Sequence, residues 1–203
     1  LPISQFFTEG TIDNLSELKK LCPHFHLSLQ SGCDETLKRM NRRYTTKEYK
    51  DIVEGLRKNI KDVSITTDII VGFPGETEEE FNTTYEFLKS MELSKMHVFK
   101  YSPRKGTKAA VMKEQVNGNI KDERSSKLIE LDAKLEEQFM NKLIGKTMDV
   151  LYEQRYNGEE SSYEGHTPNY IKVVSKSSDD IEGRIVKTKL TEVKKEFIIG
   201  ELV

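Results

Sequence analysis

The stretch that most constrains the fold is Val63-Ser-Ile-Thr-Thr-Asp-Ile-Ile-Val71, followed at once by Gly72-Phe-Pro-Gly75 and Glu76-Thr-Glu-Glu-Glu-Phe81. β-Branched residues dominate the first part, two glycines and a proline interrupt it, and Thr77 with Glu80 forms a capping box that opens a helix. The order is strand, tight turn, helix. Such a turn brings backbone amides close to whatever lies above the carboxyl end of the strand, because Gly72 and Gly75 carry no side chain to hold a ligand off. The alternative is that the two glycines only make a sharp connection.

The flanking sequence repeats the same unit. Ile12, Leu15, Leu18 and Leu21 recur every three residues, which predicts a helix over 11–21 that Pro23 stops. His24 to Gln30 alternates, with Phe25, Leu27 and Leu29 on one side and His24, His26, Ser28 and Gln30 on the other, as in a strand. A short helical turn over 34–40 follows. A second capping box, Thr45 and Glu48, then opens a helix carrying Tyr49, Ile52, Val53, Leu56 and Ile60 on one face. Beyond the central strand and its helix, 96–101 reads as a third strand that ends in Ser102-Pro-Arg-Lys-Gly106.

Strands alternating with helices of this length require right-handed crossovers and a parallel sheet, either open and doubly wound or a partial (β/α) barrel. All three strand ends then share one rim, where parallel-sheet folds place ligands. That rim collects Gln30, Ser31, Gly32, Gly72, Phe73, Gly75, Glu76, Tyr101, Ser102 and Arg104.

A long helix is expected over about 121–143, with Leu128, Leu131, Leu135, Phe139 and Leu143 three or four apart, ending at Gly145. The pattern then changes to short apolar runs with Asn157-Gly158 as a hairpin turn, the mark of a small antiparallel β barrel. Two domains are therefore expected, 1–144 and 145–203, in an α/β plus all-β chain.

The chain has 32 Lys and Arg against 34 Asp and Glu, a formal charge of −2. The part after Gly145 holds 9 basic against 11 acidic residues and the part before it 23 of each, so any nucleic-acid surface must arise locally. The only cysteines, Cys22 and Cys33, are not in a CxxC pattern, and no apolar run reaches membrane-spanning length. A reduced, cytoplasmic setting without membrane association is the expectation. The start at Leu1 suggests a processed protein or a piece of a longer one.

Several side chains could carry chemistry. His24 and His26 share a strand face, but no third metal ligand is spaced near them, and Cys33 has no visible base partner. Asp68 lies inside a buried strand, where an unpaired charge costs several kcal/mol, roughly, unless it is used. It is the better functional carboxylate, and Glu76 fits a helix amino terminus in any case. Arg42, Arg43, Arg104 and Lys105 follow strand ends and could hold a carboxylate or phosphate. In the β module, Gly165-His-Thr-Pro-Asn-Tyr-Ile-Lys172 combines a stacking aromatic with a His and a Lys, a mixture small β barrels use on RNA.

His24-Phe-His-Leu-Ser-Leu-Gln-Ser-Gly-Cys33 with Arg43-Tyr-Thr45, Thr67-Asp-Ile-Ile-Val-Gly-Phe-Pro-Gly-Glu-Thr77, and Phe99-Lys-Tyr-Ser-Pro-Arg-Lys-Gly-Thr107 occur in that order. They resemble the fourth, fifth and sixth strand segments of the methylthiotransferase family of radical S-adenosylmethionine enzymes. The part from Gly145 to Val203 is similar to the TRAM domain that ends those proteins. The resemblance implies S-adenosylmethionine and two [4Fe–4S] clusters as cofactors, insertion of sulfur and a methyl group at an unreactive C–H, and the tRNA anticodon region as partner. It implies that Gln30, Ser31, Gly32, Arg43, Asp68, Gly72 and Gly75 serve the cofactor. Tyr101, Ser102, Arg104 and Lys105 would border the substrate opening, and His166, Tyr170 and Lys172 would contact RNA.

The CxxxCxxC motif that the family's radical cluster needs is absent from these 203 residues, as are the three cysteines of its auxiliary cluster. The expectation is a carboxyl-terminal part, inactive without the missing N-terminal domains. Cys33 after Ser31-Gly32, and the Ser102 to Gly106 segment, resemble the branch acting on N6-threonylcarbamoyladenosine. The isopentenyladenosine and ribosomal-protein branches are the alternatives. Outside the family stand a pure RNA-binding module and a phosphate-binding half barrel.

Overall fold

The computed structural model describes residues 7–159 and 161–203. Their packing divides the chain into two compact units. The first holds Phe25–Lys61 and Ile65–Leu135 with the described residues before Cys22, and the second holds Cys22–His24, Asp62–Ser64 and Glu136–Val203.

The chain up to Asn141 follows the expected alternation: α1 (Glu9–Ser16), β1 (His24–His26), α2 (Asp34–Arg39), α3 (Thr46–Asn59), β2 (Ser64–Val71), α4 (Glu78–Met91), β3 (Lys95–Lys100) and α5 (Gly118–Asn141), of which all but His24, Ser64 and the end of α5 beyond Leu135 lie in the first unit. The strands form one sheet in the order β1-β2-β3, and β2 and β3 run parallel with Asp68 opposite His97 and Val71 opposite Lys100. Both capping boxes form. Thr45 and Thr77 each accept from the third backbone N–H of their helix, while Glu48 and Glu80 reach back to the cap amide. The core between helices and sheet contains Leu29, Tyr49, Leu56, Ile65, Ile69, Leu88 and Leu93, each 1% exposed or less. Burying an aliphatic side chain of this kind contributes about 1.5–3 kcal/mol.

Two boundaries differ from the sequence pattern. Helix α1 starts at a Thr8 cap and ends at Ser16, well before Pro23, so the apolar spacing of Leu18 and Leu21 belongs to turns. Strand β1 stops at His26 and not at Gln30, because Leu29 N–H donates to the Thr67 side chain in place of a backbone carbonyl. Pairing resumes at an isolated bridge between Gln30 and Ile69, with Gln30 at a left-handed φ of 72°.

The second unit contains a closed barrel of β4 (Thr147–Arg155), β5 (Ser162–His166), β6 (Lys172–Lys176), β7 (Ile185–Val193) and β8 (Ile198–Leu202), in the order β4-β5-β6-β8-β7. The expectation of an antiparallel barrel needs correction at one seam. Strands β6 and β8 pair in parallel, Val173 opposite Ile198, and the other four pairs are antiparallel. That seam lets β7 lie between β8 and β4, closing the barrel without an exposed edge. Between β4 and β5 the chain makes a 3-10 turn over Tyr156–Gly158, where Asn157 takes the left-handed conformation it tolerates better than most residues.

Two glycines make the barrel narrow enough to fill. A Cβ on Gly165 would stand 2.0 Å from the Leu151 carbonyl oxygen, and one on Gly200 would stand 2.4 Å from Thr188 Cγ2. The core is largely apolar, with Val150, Val173, Leu190 and Ile198 fully buried, and the Tyr152 hydroxyl inside it is satisfied. The buried Tyr152 hydroxyl donates to Ser175 Oγ at 2.6 Å and lies 3.0 Å from Thr188 Oγ1.

Candidate functional site

Alternation along β2 turns Asp68 and Ile70 away from the helix-covered core, onto a half-buried face. A cavity of about 610 Å³ opens there and runs past the carboxyl end of β3. Gln30, Arg42, Asp68, Tyr101, Ser102 and Arg104 supply its polar groups, with Ile70, Phe99, Ala109 and the methyl-bearing Thr107 between them.

Asp68 is held firmly. Its Oδ2 accepts from the Ser28 hydroxyl at 2.8 Å and from His26 Nε2 at 3.0 Å, and His26 Nδ1 is fixed 2.9 Å from Thr66 Oγ1. Partial burial pushes the Asp68 pKa up, but the bonds from Ser28 and His26 outweigh it and leave the carboxyl below its ordinary range. Among the described residues Oδ1 takes no hydrogen bond, so it is available to a hydroxyl or ammonium donor.

The other charges divide into paired and unpaired. Lys100 donates to Asp122 at 2.7 Å. Arg42 and Arg104, both exposed, form no ion pair among the described residues. Tyr101 meets Phe73 edge to face at 5.2 Å between centroids, and its hydroxyl is buried with no hydrogen-bond partner among the described residues. A buried hydroxyl left in this state costs free energy until something bonds it.

The glycine turn after β2 is not part of this cavity. Gly72 N–H donates to the Glu76 carboxylate, Gly75 N–H donates to the Glu114 carbonyl at 2.7 Å, and both glycines adopt a left-handed φ. A Cβ on Gly72 would meet Lys121 Cγ at 2.4 Å, so α5 packs where a ligand was expected. Glu76 lies under that helix, bonded by Arg124 at 2.7 Å. Burial raises the Glu76 pKa, partly offset by the Gly72 amide and Arg124.

Of the residues predicted for the cofactor, the structure therefore brings Gln30 and Asp68 to the cavity, while Gly72 and Gly75 close against α5 and its approach. Ser31 and Gly32 turn inward instead, Ser31 toward Thr84 at 3.2 Å and Gly32 with Phe87 and Thr84 so near that a Cβ would be 3.0 Å from each. Arg43 does not line the cavity; the adjacent Arg42 does, because the turn after α2 carries successive side chains in different directions. On the substrate side Tyr101, Ser102 and Arg104 line the wall, and Lys105 is exposed outside it. Phe99 and Thr107 also line it, though the sequence pattern singled out neither as a site residue.

In the barrel unit, His166 Nδ1 is 2.6 Å from Glu153 and its ring stacks on Tyr170 at 4.7 Å and 14°. Tyr170 is 63% exposed at a left-handed φ of 63°, and His24 lies against it as well at 5.1 Å between centroids, so two imidazoles flank the ring while much of it stays accessible. Lys172 is paired with Glu164 and lies over the Tyr156 ring, which lowers its value as a free RNA contact.

Cys33 is buried and donates to Glu35, and burial raises its thiol pKa, which suits packing and not nucleophilic use. No group of three or more His, Cys, Asp or Glu that could hold a metal occurs among the described residues. No helix among them is long and apolar enough to cross a membrane.

Comparison with known proteins places this geometry. Residues 3–88 match the family model described as the radical SAM superfamily, and that match takes in β1, β2 and most of α4. That segment belongs to the radical SAM superfamily. Among similar proteins is the threonylcarbamoyladenosine tRNA methylthiotransferase MtaB of Bacillus subtilis (strain 168), 39% identical over 97% of this chain and 44% of the relative. The tRNA-2-methylthio-N(6)-dimethylallyladenosine synthase of Caldicellulosiruptor saccharolyticus is 39% identical over 93% of this chain and 40% of the relative. The chain thus spans less than half the length of the curated relatives it matches. A solved structure, coproporphyrinogen III oxidase (HemN) from Escherichia coli, aligns with TM-score 0.55 and 14% identity over 81% of this chain and 45% of that one, a likeness of fold.

The radical SAM family implies S-adenosylmethionine and a [4Fe–4S] cluster. The cavity fits the first: it offers the fixed Asp68 carboxylate, the Arg42 guanidinium, which has no ion pair among the described residues, and the apolar wall of Ile70 and Phe99 to a zwitterionic nucleoside. The cluster does not fit these residues, because such a cluster takes Cys thiolates and this chain's two are one exposed and one buried, neither on the cavity.

Proposed function

We infer that this chain is the carboxyl-terminal part of a tRNA-modifying radical enzyme. Its reaction places a methylthio group on C2 of N6-threonylcarbamoyladenosine beside the anticodon. The observation that carries this reading is the cavity at the ends of the parallel strands, lined by an ionised Asp68 and by Arg42 and Arg104, which form no ion pair among the described residues. The 39% identity to a threonylcarbamoyladenosine methylthiotransferase over nearly the whole chain supports it. On this reading 1–144 is a section of a (β/α) barrel with its closing helix, and 145–203 is a TRAM-like RNA-holding barrel that presents Tyr170 and His166.

S-adenosylmethionine, when bound, would supply the radical chemistry that acts on an unreactive C–H. The residues of this chain bind and orient. Asp68, steadied by Ser28 and His26, accepts from the cofactor's hydroxyl or ammonium groups through its free oxygen. Gln30 and Arg42 hold the polar end beside it, and Phe99 and Ile70 exclude water. The clusters, two in the family, would be held by N-terminal segments of the same protein, and the 203 residues alone would be inactive in a cytoplasmic enzyme of this kind.

The isopentenyladenosine reading is the second, because a dimethylallyladenosine synthase shares the same 39% identity. Reconstituting the full-length parent and the 203-residue piece side by side tests the proposal. Only the former should bind stoichiometric iron and convert threonylcarbamoyladenosine tRNA. Product from the short piece, or conversion only of isopentenyladenosine tRNA by the parent, contradicts it.

A further inference from the structure

Charge counting in the cavity identifies how the substrate is chosen, an inference that rests on the function proposed above. Four charged side chains line the wall: Arg42, Asp68, Lys100 and Arg104. Lys100 pairs with Asp122, and Asp68 is held by Ser28 and His26 with its free oxygen left to the cofactor's ammonium, so the Arg42 and Arg104 guanidiniums have no ion-pair partner among the described residues. A nucleoside-linked amino acid cofactor brings one carboxylate. The threonylcarbamoyl substituent brings a second, and a dimethylallyl group brings none.

The geometry points to Arg104 as the residue that reads the substrate carboxylate, making the cavity selective for an adenosine whose N6-substituent is anionic. The loop after β3 is the side on which a polyanionic RNA would arrive. Lys105 and Lys108 flank Arg104 there, both are exposed, and neither is ion-paired among the described residues. Arg42 sits across the cavity with Gln30 and Asp68, where the cofactor's carboxylate would lie.

A planar guanidinium engages a carboxylate through two parallel N–H donors. An apolar substituent in the same place would strip water from Arg104 and return no partner, so the residue rejects the neutral substrate as well as holding the charged one.

The test uses the full-length parent protein and an anticodon stem-loop carrying either N6-threonylcarbamoyladenosine or its methyl ester, with binding read by fluorescence anisotropy. The wild type should prefer the acid by at least about tenfold, the scale of one charged hydrogen-bonding pair. Arg104→Ala should bring that ratio near one with S-adenosylmethionine affinity unchanged, and Arg104→Lys should keep part of it. Equal weakening of both RNAs by Arg104→Ala, with the ratio kept, overturns the assignment, as does loss of cofactor affinity with the ratio intact. Either result leaves the proposed function standing if the wild type still converts threonylcarbamoyladenosine tRNA. Failure of that conversion sinks the function itself.

Discussion

Arg124 of α5 donates a 2.7 Å hydrogen bond to Glu76, and each side chain is only 5% exposed. The same carboxylate accepts from Gly72 N–H, so the glycine turn is fixed by its own chain and by the closing helix. Truncating one partner leaves a buried charge uncompensated. Arg124→Ala should cost about 3–5 kcal/mol in urea denaturation of the full-length protein. Glu78, whose contact to Arg124 is exposed, should cost less than about 1 kcal/mol when replaced by Ala. Similar small losses from both would refute the role given to the buried pair.

Gly165→Ala should disrupt the barrel. The added methyl would meet the Leu151 backbone at 2.0 Å, and backbone in a closed barrel cannot step aside as a flexible side chain does. The expected outcome is loss of amide protection along β4 and β5 in hydrogen exchange. Gly183→Ala is the control: it has open space around its Cβ, although its φ of 72° carries a backbone penalty of roughly 1 kcal/mol.

Glu80 predicts part of the acid limb of stability. The Arg39 guanidinium bonds its carboxyl and holds the pKa below the ordinary value. The folded state therefore binds this proton less tightly than the unfolded chain. Its contribution is present above the ordinary carboxylate range and is lost as pH falls through the depressed folded value. Glu80→Gln should be less stable near neutrality and should flatten the fall in denaturation midpoint on acidification. An unchanged slope would contradict this.

Asp68→Asn keeps the shape of the side chain and removes its charge. On the proposed reading it should weaken S-adenosylmethionine binding to the full-length protein about tenfold, measured by titration calorimetry, the scale of one charge-assisted bond. Unaltered affinity would show that Asp68 only braces His26 and Ser28.

The strand and helix order was readable where a helix opens on a cap and a strand is rich in β-branched residues, as at Thr45-Glu48 and Val63–Val71. The cavity was readable as a rim, and Asp68 as the odd residue in a buried strand. What local sequence cannot carry is which side of a turn a distant helix covers. Nothing near Gly72 says that Lys121, 49 positions later, lies against it. Nor does a run such as Arg42-Arg43 show which guanidinium points inward, and the single parallel seam between β6 and β8 depends on closure of the whole barrel.

The central claim is the reaction and its substrate. Mass spectrometry of tRNA nucleosides from cells lacking the parent gene tests it most directly. The account predicts that 2-methylthio-N6-threonylcarbamoyladenosine disappears, its unthiolated precursor accumulates and the methylthio-isopentenyl nucleoside is untouched. Persistence of the first product, or loss of the isopentenyl one in its place, would contradict it.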